Sequence, residues 1–181
     1  GEGLWPHASS LTPFAVAAGN RFFDYQITEI GNNLSLGTFC HENGHMLCDF
    51  PDLYDYDRGD SIRGVGYYCL MCAGNNANPK NPIQVGAYLK HEAGWATSVR
   101  EITPGSRLDI AAGINDFLIY QHPTNSAEYF MIENRRASGR DVSLPSEGLA
   151  IWHIDERGNN SNQQMSASRH YECSLEQADG R

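Results

Sequence analysis

The sequence predicts an α+β fold, with helices in its first half and strands in its second half. In the first half, apolar residues recur at helical spacing through Leu36, Phe39, Met46 and Leu47. In the second half, short apolar segments are separated by Gly, Pro, Ser and Asn, which favour turns. Apolar residues make up 40% of the 181 residues, so we expect a buried core.

The first predicted helix is capped by Asn32 or Asn33 and ends at Pro51, because proline cannot continue a helix. We expect residues 1–33 to be irregular apart from a strand near 21–30. A second helix is expected at about 82–93.

The pattern changes near residue 98, so we expect two parts: a helix-containing part over residues 1–98 and a β-rich continuation over residues 99–181. The expected strands of the second part are residues 107–112, 116–121, 129–133 and 148–154. The ends at Gly1 and Arg181 are typical of a processed or truncated piece, incomplete at its C-terminus.

The charge balance excludes some partners. The chain has 13 Lys and Arg against 22 Asp and Glu, a formal net charge of -9. Nucleic acid and anionic membranes need a basic surface, so neither is expected as a partner. No apolar run approaches the roughly 18 residues of a membrane-spanning helix, so membrane insertion is not expected.

The first helix carries the H-E-x-x-H pattern, as His41, Glu42 and His45. The two histidines lie one turn apart, so both imidazoles can reach one metal ion from the same helix face. Glu42 lies about 100° round the helix axis, where its carboxylate can reach a water on the metal and act as general base. The pattern therefore predicts a catalytic zinc site.

A catalytic zinc site needs a third protein ligand. The chain reverses after this helix, and the candidates are Asp52, our first choice, and Asp49, which is still tied to the helix end. The same carboxylates, together with Asp55 and Asp57, are also compatible with a calcium site or a solvated acidic loop.

Other side chains are candidates for a substrate cleft. A hydroxyl of Tyr54, Tyr67 or Tyr68 could stabilise an oxyanion. His153 and Asp155 share one face of an expected strand, which could face the cleft or simply hold a hydrogen-bonded pair.

Five cysteines are present, as Cys40, Cys48, Cys69, Cys72 and Cys173. In a secreted protein the first four could form two disulfides, and in a cytosolic protein they could hold a structural metal.

The segment from His41 to Leu47, followed by Pro51-Asp52-Leu53-Tyr54-Asp55, resembles the active-site signature of the immune inhibitor A family. Members are secreted bacterial zinc metallopeptidases related to the metzincin-type enzymes. Further segments of the chain support the resemblance: Leu4-Trp5-Pro6-His7, Tyr68-Cys69-Leu70-Met71, residues 148–155 and residues 176–180.

The resemblance implies a zinc-metallopeptidase catalytic core with an active-site helix, a methionine-containing turn and an extended cleft. It implies a secreted, extracellular endopeptidase that acts on protein or peptide substrates. By position, His41 and His45 would be zinc ligands, Glu42 the general base, and Met71 the methionine of the turn beneath the metal.

One departure concerns Cys48, which stands where the family commonly has Gly. We expect Cys48 to pair with a cysteine of the 69–72 segment, Cys69 being the candidate, and so to tie the helix end to the methionine-containing turn.

A second hypothesis is a truncated or inactive relative that acts as an extracellular, metal-stabilised binding module. Peptidases of this type place several strands and a helix before the active-site helix, where this chain offers some 33 residues. A deformylase-like hydrolase is disfavoured, because its cysteine ligand precedes the helix whereas Cys69 follows it.

Overall fold

A hairpin and a long helix form the first part of the fold. The computed structural model describes residues 4–15, 17–30, 34–56, 64–113, 115–160, 166 and 169–176. Strands β1 (His7–Ala15) and β2 (Arg21–Ile27) pair in antiparallel fashion, and helix α1 (Leu36–Cys48) follows them. The expectation of irregular chain before residue 21 is therefore wrong, because β1 lies there.

Short helical segments connect α1 to the second part. They are the turns Gly66–Tyr68 and Leu70–Gly74, the single turn α2 (Asn75–Ala77), and helix α3 (Ala87–Glu92). The expected start of the second helix at residue 82 is wrong. The backbone there bonds to the preceding turn instead, with Ile83 N–H donating to the Gly74 carbonyl at 3.1 Å.

The second part is a five-stranded mixed sheet. Its strands are β3 (Ser98–Glu101), β4 (Asp116–Gln121), β5 (Glu128–Arg135), β6 (Gly148–Asp155) and β7 (Cys173–Leu175). They lie in this order, with β3 and β4 parallel and the other pairs antiparallel. The predicted α+β fold is confirmed, and β4, β5 and β6 lie where strands were expected.

The strand expected at 107–112 is not formed, because side chains satisfy its backbone in place of a ladder. Arg100 Nη2 donates to the Asp109 carbonyl at 2.9 Å, and Asn134 Nδ2 donates to the Ile110 carbonyl at 3.1 Å. Only Ala112 makes an isolated bridge.

One hydrophobic cluster joins both parts of the chain. Alternate residues of β5 are buried, among them Tyr129 and Met131, which pack with Trp152 and Ile154 of β6 and with Leu89 of α3. Among the described helices, none has the length and apolar character needed to cross a membrane.

A balanced group of charges lies inside this core. Glu133 Oε1 accepts from Arg135 Nη1 at 3.1 Å and from Trp152 Nε1 at 3.0 Å, and its Oε2 lies 3.7 Å from Lys90 Nζ. Arg135 also contacts Asp141, with Nη2 2.7 Å from Oδ2. Burial lowers the pKa of Lys90 and outweighs the opposing effect of Glu133. Each charge therefore depends on its partners to remain buried.

We predict that Glu133→Ala lowers the free energy of unfolding by about 3–5 kcal/mol, because it leaves buried cations without a counter-charge. Urea denaturation measures this change. Glu101→Ala, at an exposed position of β3, is the matched control and is expected to stay within about 0.5 kcal/mol of the parent. Equal stability of the two variants would contradict the role given to the buried charges.

Candidate metal centre

Helix α1 presents the two histidines of the H-E-x-x-H pattern. It is capped by Ser35, whose Oγ accepts from Thr38 N–H at 3.2 Å, rather than by Asn32 or Asn33, which lie outside the described residues. It ends at Asp49, which adopts the left-handed conformation at φ 53° and reverses the chain. The reversal turns the following segment back along the helix.

The reversed segment brings Asp52 to both histidines. Asp52 Oδ1 lies 3.1 Å from His41 Nε2 and 3.3 Å from His45 Nε2, and the two Nε2 atoms are 3.2 Å apart. Leu53 N–H donates to the Met71 carbonyl at 2.8 Å and so fixes the segment beside the helix. By contrast, Asp49 is exposed at the helix end and lies outside this cluster.

Backbone carbonyls orient both imidazole rings. His41 Nδ1 lies 2.9 Å from the Leu70 carbonyl oxygen, and His45 Nδ1 lies 2.6 Å from that of Phe50. Because a carbonyl oxygen only accepts, each ring donates its Nδ1–H there and turns its Nε2 lone pair towards Asp52. Carbonyl-bound imidazoles of this kind are typical of metal ligands.

The three converging atoms could hold a metal ion. Asp52 Oδ1 is buried and accepts no well-formed hydrogen bond among the described residues, whereas Oδ2 accepts from the Tyr56 hydroxyl at 2.8 Å. An oxygen left in this state beside two nitrogen lone pairs fits a cation. Tyr56, which positions Asp52 and follows it by four residues, belongs to no motif and so was not predicted from the sequence.

The pKa values at this cluster reflect the same electrostatics. Burial pushes the pKa of Asp52 upward, but contacts with His41, His45 and Tyr56 outweigh burial and hold it well below its usual range. Burial lowers the pKa of His45, but Asp52, the Phe50 carbonyl and the charge of Glu42 outweigh it and raise the pKa. The surroundings therefore favour positive charge at this point.

The turn Leu70–Gly74 supports the helix from below. Met71 is fully buried, and its Sδ would lie 2.6 Å from a Cβ added at Gly44, the residue directly before His45. The neighbouring Leu70 supplies the carbonyl that holds His41. The structure thus places the methionine-containing turn against the helix that carries the histidines.

The cluster opens into a cavity of about 1380 Å³. Glu42 lines this cavity beside His41 and His45, and its side chain is largely buried. Residues 4–8 and 27–29, at one end of the β1–β2 hairpin, also line the cavity. The cavity thus brings the Glu42 carboxylate and the three potential metal ligands together.

The three candidate tyrosines have different surroundings. The Tyr54 hydroxyl donates to the Cys72 carbonyl at 3.0 Å, and that of Tyr68 lies 2.6 Å from Ser146 Oγ. Tyr67 lines the cavity and is 38% exposed. Tyr54 also lines the cavity, but its hydroxyl is engaged by the Cys72 carbonyl, so Tyr67 is the candidate that both lines the cavity and is exposed.

None of the five cysteines forms a disulfide in the structure, so the expected Cys48–Cys69 disulfide is not present. Cys48 lies half-buried at the end of α1, whereas Cys69 is fully buried, where burial raises its pKa to about 11. Among the described residues, the thiols form no metal-binding group either.

Apart from Asp52, the described acidic residues of the loop after α1 belong to no group that could hold a metal ion. The buried Asp55 accepts from the Tyr171 hydroxyl at 2.9 Å. Asp57 lies outside the described residues.

His153 lies away from the cavity. It is not among the residues that line the cavity, and its Nε2 lies 2.9 Å from Glu128 Oε1 on the neighbouring strand β5. Together with His170 these residues form a second cluster that could hold a metal ion. The sequence pattern gave no signal for this cluster, because its members are distant along the chain.

No protein-family model matches the chain, and neither a curated protein nor a solved structure is significantly similar to it.

Two glycines of α1 set how closely the helix can approach its support. A Cβ at Gly37 would lie 1.8 Å from the Asn75 carbonyl oxygen, whereas one at Gly44 would meet the Met71 side chain.

We predict that Gly37→Ala lowers the free energy of unfolding by about 1–3 kcal/mol. Gly44→Ala is expected to lower it less, since a methionine side chain can shift and a backbone cannot. Urea denaturation of both variants measures the difference, and an equal cost would contradict it.

Proposed function

We propose that the protein is a zinc-dependent endopeptidase that hydrolyses peptide bonds of protein or peptide substrates. The observation that carries this proposal is the convergence of His41 Nε2, His45 Nε2 and Asp52 Oδ1 at separations of 3.1 to 3.3 Å. Two imidazoles and one carboxylate are a donor set that zinc takes in hydrolytic enzymes, with a fourth position left for water or substrate.

The resemblance to the immune inhibitor A family supports the same proposal. It extends to segments that the structure brings to the site, since Pro6 and His7 line the cavity and Met71 packs beneath α1. On this basis we propose that the protein acts outside the cell.

Each side chain of the site has a defined role in the proposed reaction. A zinc ion held by His41, His45 and Asp52 would polarise the scissile carbonyl and lower the pKa of water to about 7. Glu42 takes the proton from the attacking water and returns it to the departing amine. Tyr67 offers a hydroxyl to the carbonyl oxygen as negative charge develops there. Tyr56 holds Asp52 in place through its hydrogen bond to Oδ2.

A second candidate function is a metal-stabilised binding module that does not cut its ligand. It is favoured by the part of the cavity lining that comes from one end of the β1–β2 hairpin, because this sheet has two strands where peptidases of this type place several strands and a helix. Such a module would keep the metal cluster and the cavity, so activity and metal content must be measured on the same sample.

We predict that Glu42→Gln lowers casein hydrolysis by at least about 10²–10⁴-fold while zinc content stays equal to that of the parent, because the amide cannot accept the proton. Activity and zinc are determined on the same preparation. Hydrolysis by the variant at the parental rate would exclude this mechanism. Zinc in both proteins with activity in neither would favour the binding module.

We predict that Asp52→Asn weakens zinc binding, by about 10-fold or more, since a neutral amide replaces the charged ligand. Asp49→Asn is the matched control: it sits three residues away, and asparagine tolerates the left-handed conformation of that position. Competition with a zinc-sensitive chelator measures both affinities. A larger loss in Asp49→Asn would assign the third ligand to Asp49.

A further inference from the structure

A second group of imidazoles and carboxylates lies on the five-stranded sheet, outside the cavity. Glu128 begins β5, His153 lies on β6, and His170 lies in the segment that leads into β7. One potential ligand atom from each of the three residues lies within 4.8 Å of the others. The side chains are 13% to 25% exposed, so the group is sheltered yet reachable from solvent.

The geometry of this group is held by its neighbours. The ring of Phe130 stacks on that of His153, with centroids 4.7 Å apart and planes within 19°. Asp155 lies opposite Glu128 in the strand register, and its Oδ2 is 2.9 Å from His170 Nδ1. Both imidazoles are therefore oriented by contacts independent of a metal, as second-sphere partners orient metal ligands.

The charges of the group favour a divalent cation. Three carboxylates face two imidazoles here, because Glu176 Oε1 also lies 3.7 Å from His153 Nδ1. With neutral imidazoles the group carries three negative charges, and even two protonated imidazoles would leave one uncompensated. A divalent cation bound by nitrogen and oxygen atoms would offset this excess, and zinc prefers this mixture of donors.

We propose that Glu128, His153 and His170 form a second zinc site, with Asp155 beside them as a fourth ligand or an orienting partner. This site is independent of the proposed peptidase centre. It ties the segment before β7 to β5 and β6, and so adds to the hold on a short strand whose ladder with β6 covers Cys173–Leu175. Its role is structural, because it lies outside the cavity.

The test counts zinc on the full chain after chelator treatment and dialysis, by titration calorimetry with zinc chloride. We expect two equivalents in the parent and one in each of Glu128→Gln and His170→Ala. His122→Ala replaces a histidine outside both clusters and is expected to keep two. His45→Ala is expected to lose the other equivalent, and His45→Ala combined with Glu128→Gln to bind none.

Thermal denaturation gives a second readout that does not depend on activity. In the His45→Ala background, zinc at about 100 times its Kd should raise Tm by about 5–10 °C, and adding Glu128→Gln should abolish the rise. Circular dichroism establishes that each variant is folded.

Two results would overturn the second site. One is two equivalents of zinc in folded Glu128→Gln and His170→Ala. The other is a single equivalent of zinc in the parent that His45→Ala removes. In that case Glu128, His153 and His170 would form ion pairs and bind no zinc. A single equivalent that only Glu128→Gln removes would instead support this site and contradict the peptidase centre.

Discussion

The close approach of α1 to the segment that follows Cys69 is the constraint on which the site depends. Gly37 lies against the backbone of Asn75, and Gly44 lies against the Met71 side chain. A side chain at Gly37 would separate the two elements and carry His41 away from the Leu70 carbonyl that orients it. Glycine at these two positions lowers the helix propensity of α1, but it allows the close contact with the supporting segment.

The same segment connects the site to the sheet. The Arg135 guanidinium donates from Nη1 to the Tyr68 carbonyl at 3.0 Å, just before the methionine-containing turn. Arg135 also belongs to the buried charges of Glu133 and Asp141, and Asp141 accepts from the Gln84 backbone N–H at 3.2 Å. The ionic group thus joins the strands to the chain on both sides of the turn that supports α1.

Some of this arrangement could be predicted from the sequence. The spacing of His41 and His45 is a local helical property, so it placed both rings on one face. The expected end at Pro51 is too late, because Asp49 already adopts the left-handed conformation and ends the helix after Cys48. Strand β2 lies where a strand was expected, but β1 was missed, because it contains Pro13 and two serines and lacks a clear alternation. Residues 107–112 have the pattern of a strand but meet side-chain donors instead of a partner strand. The Glu128–His153–His170 group depends on strand register, which single-sequence patterns do not encode.

The acceptors that orient the two imidazoles have a consequence for how the site tolerates change. Both are main-chain carbonyls, at Phe50 and Leu70, and every amino acid has one. A substitution at either position alters the side chain but leaves the acceptor in place as long as the backbone keeps its path. A main-chain carbonyl also does not titrate, so these two acceptors are unchanged in acid, whereas a carboxylate acceptor would be protonated. The path of the backbone, rather than the side chains at Phe50 and Leu70, therefore orients the two ligands.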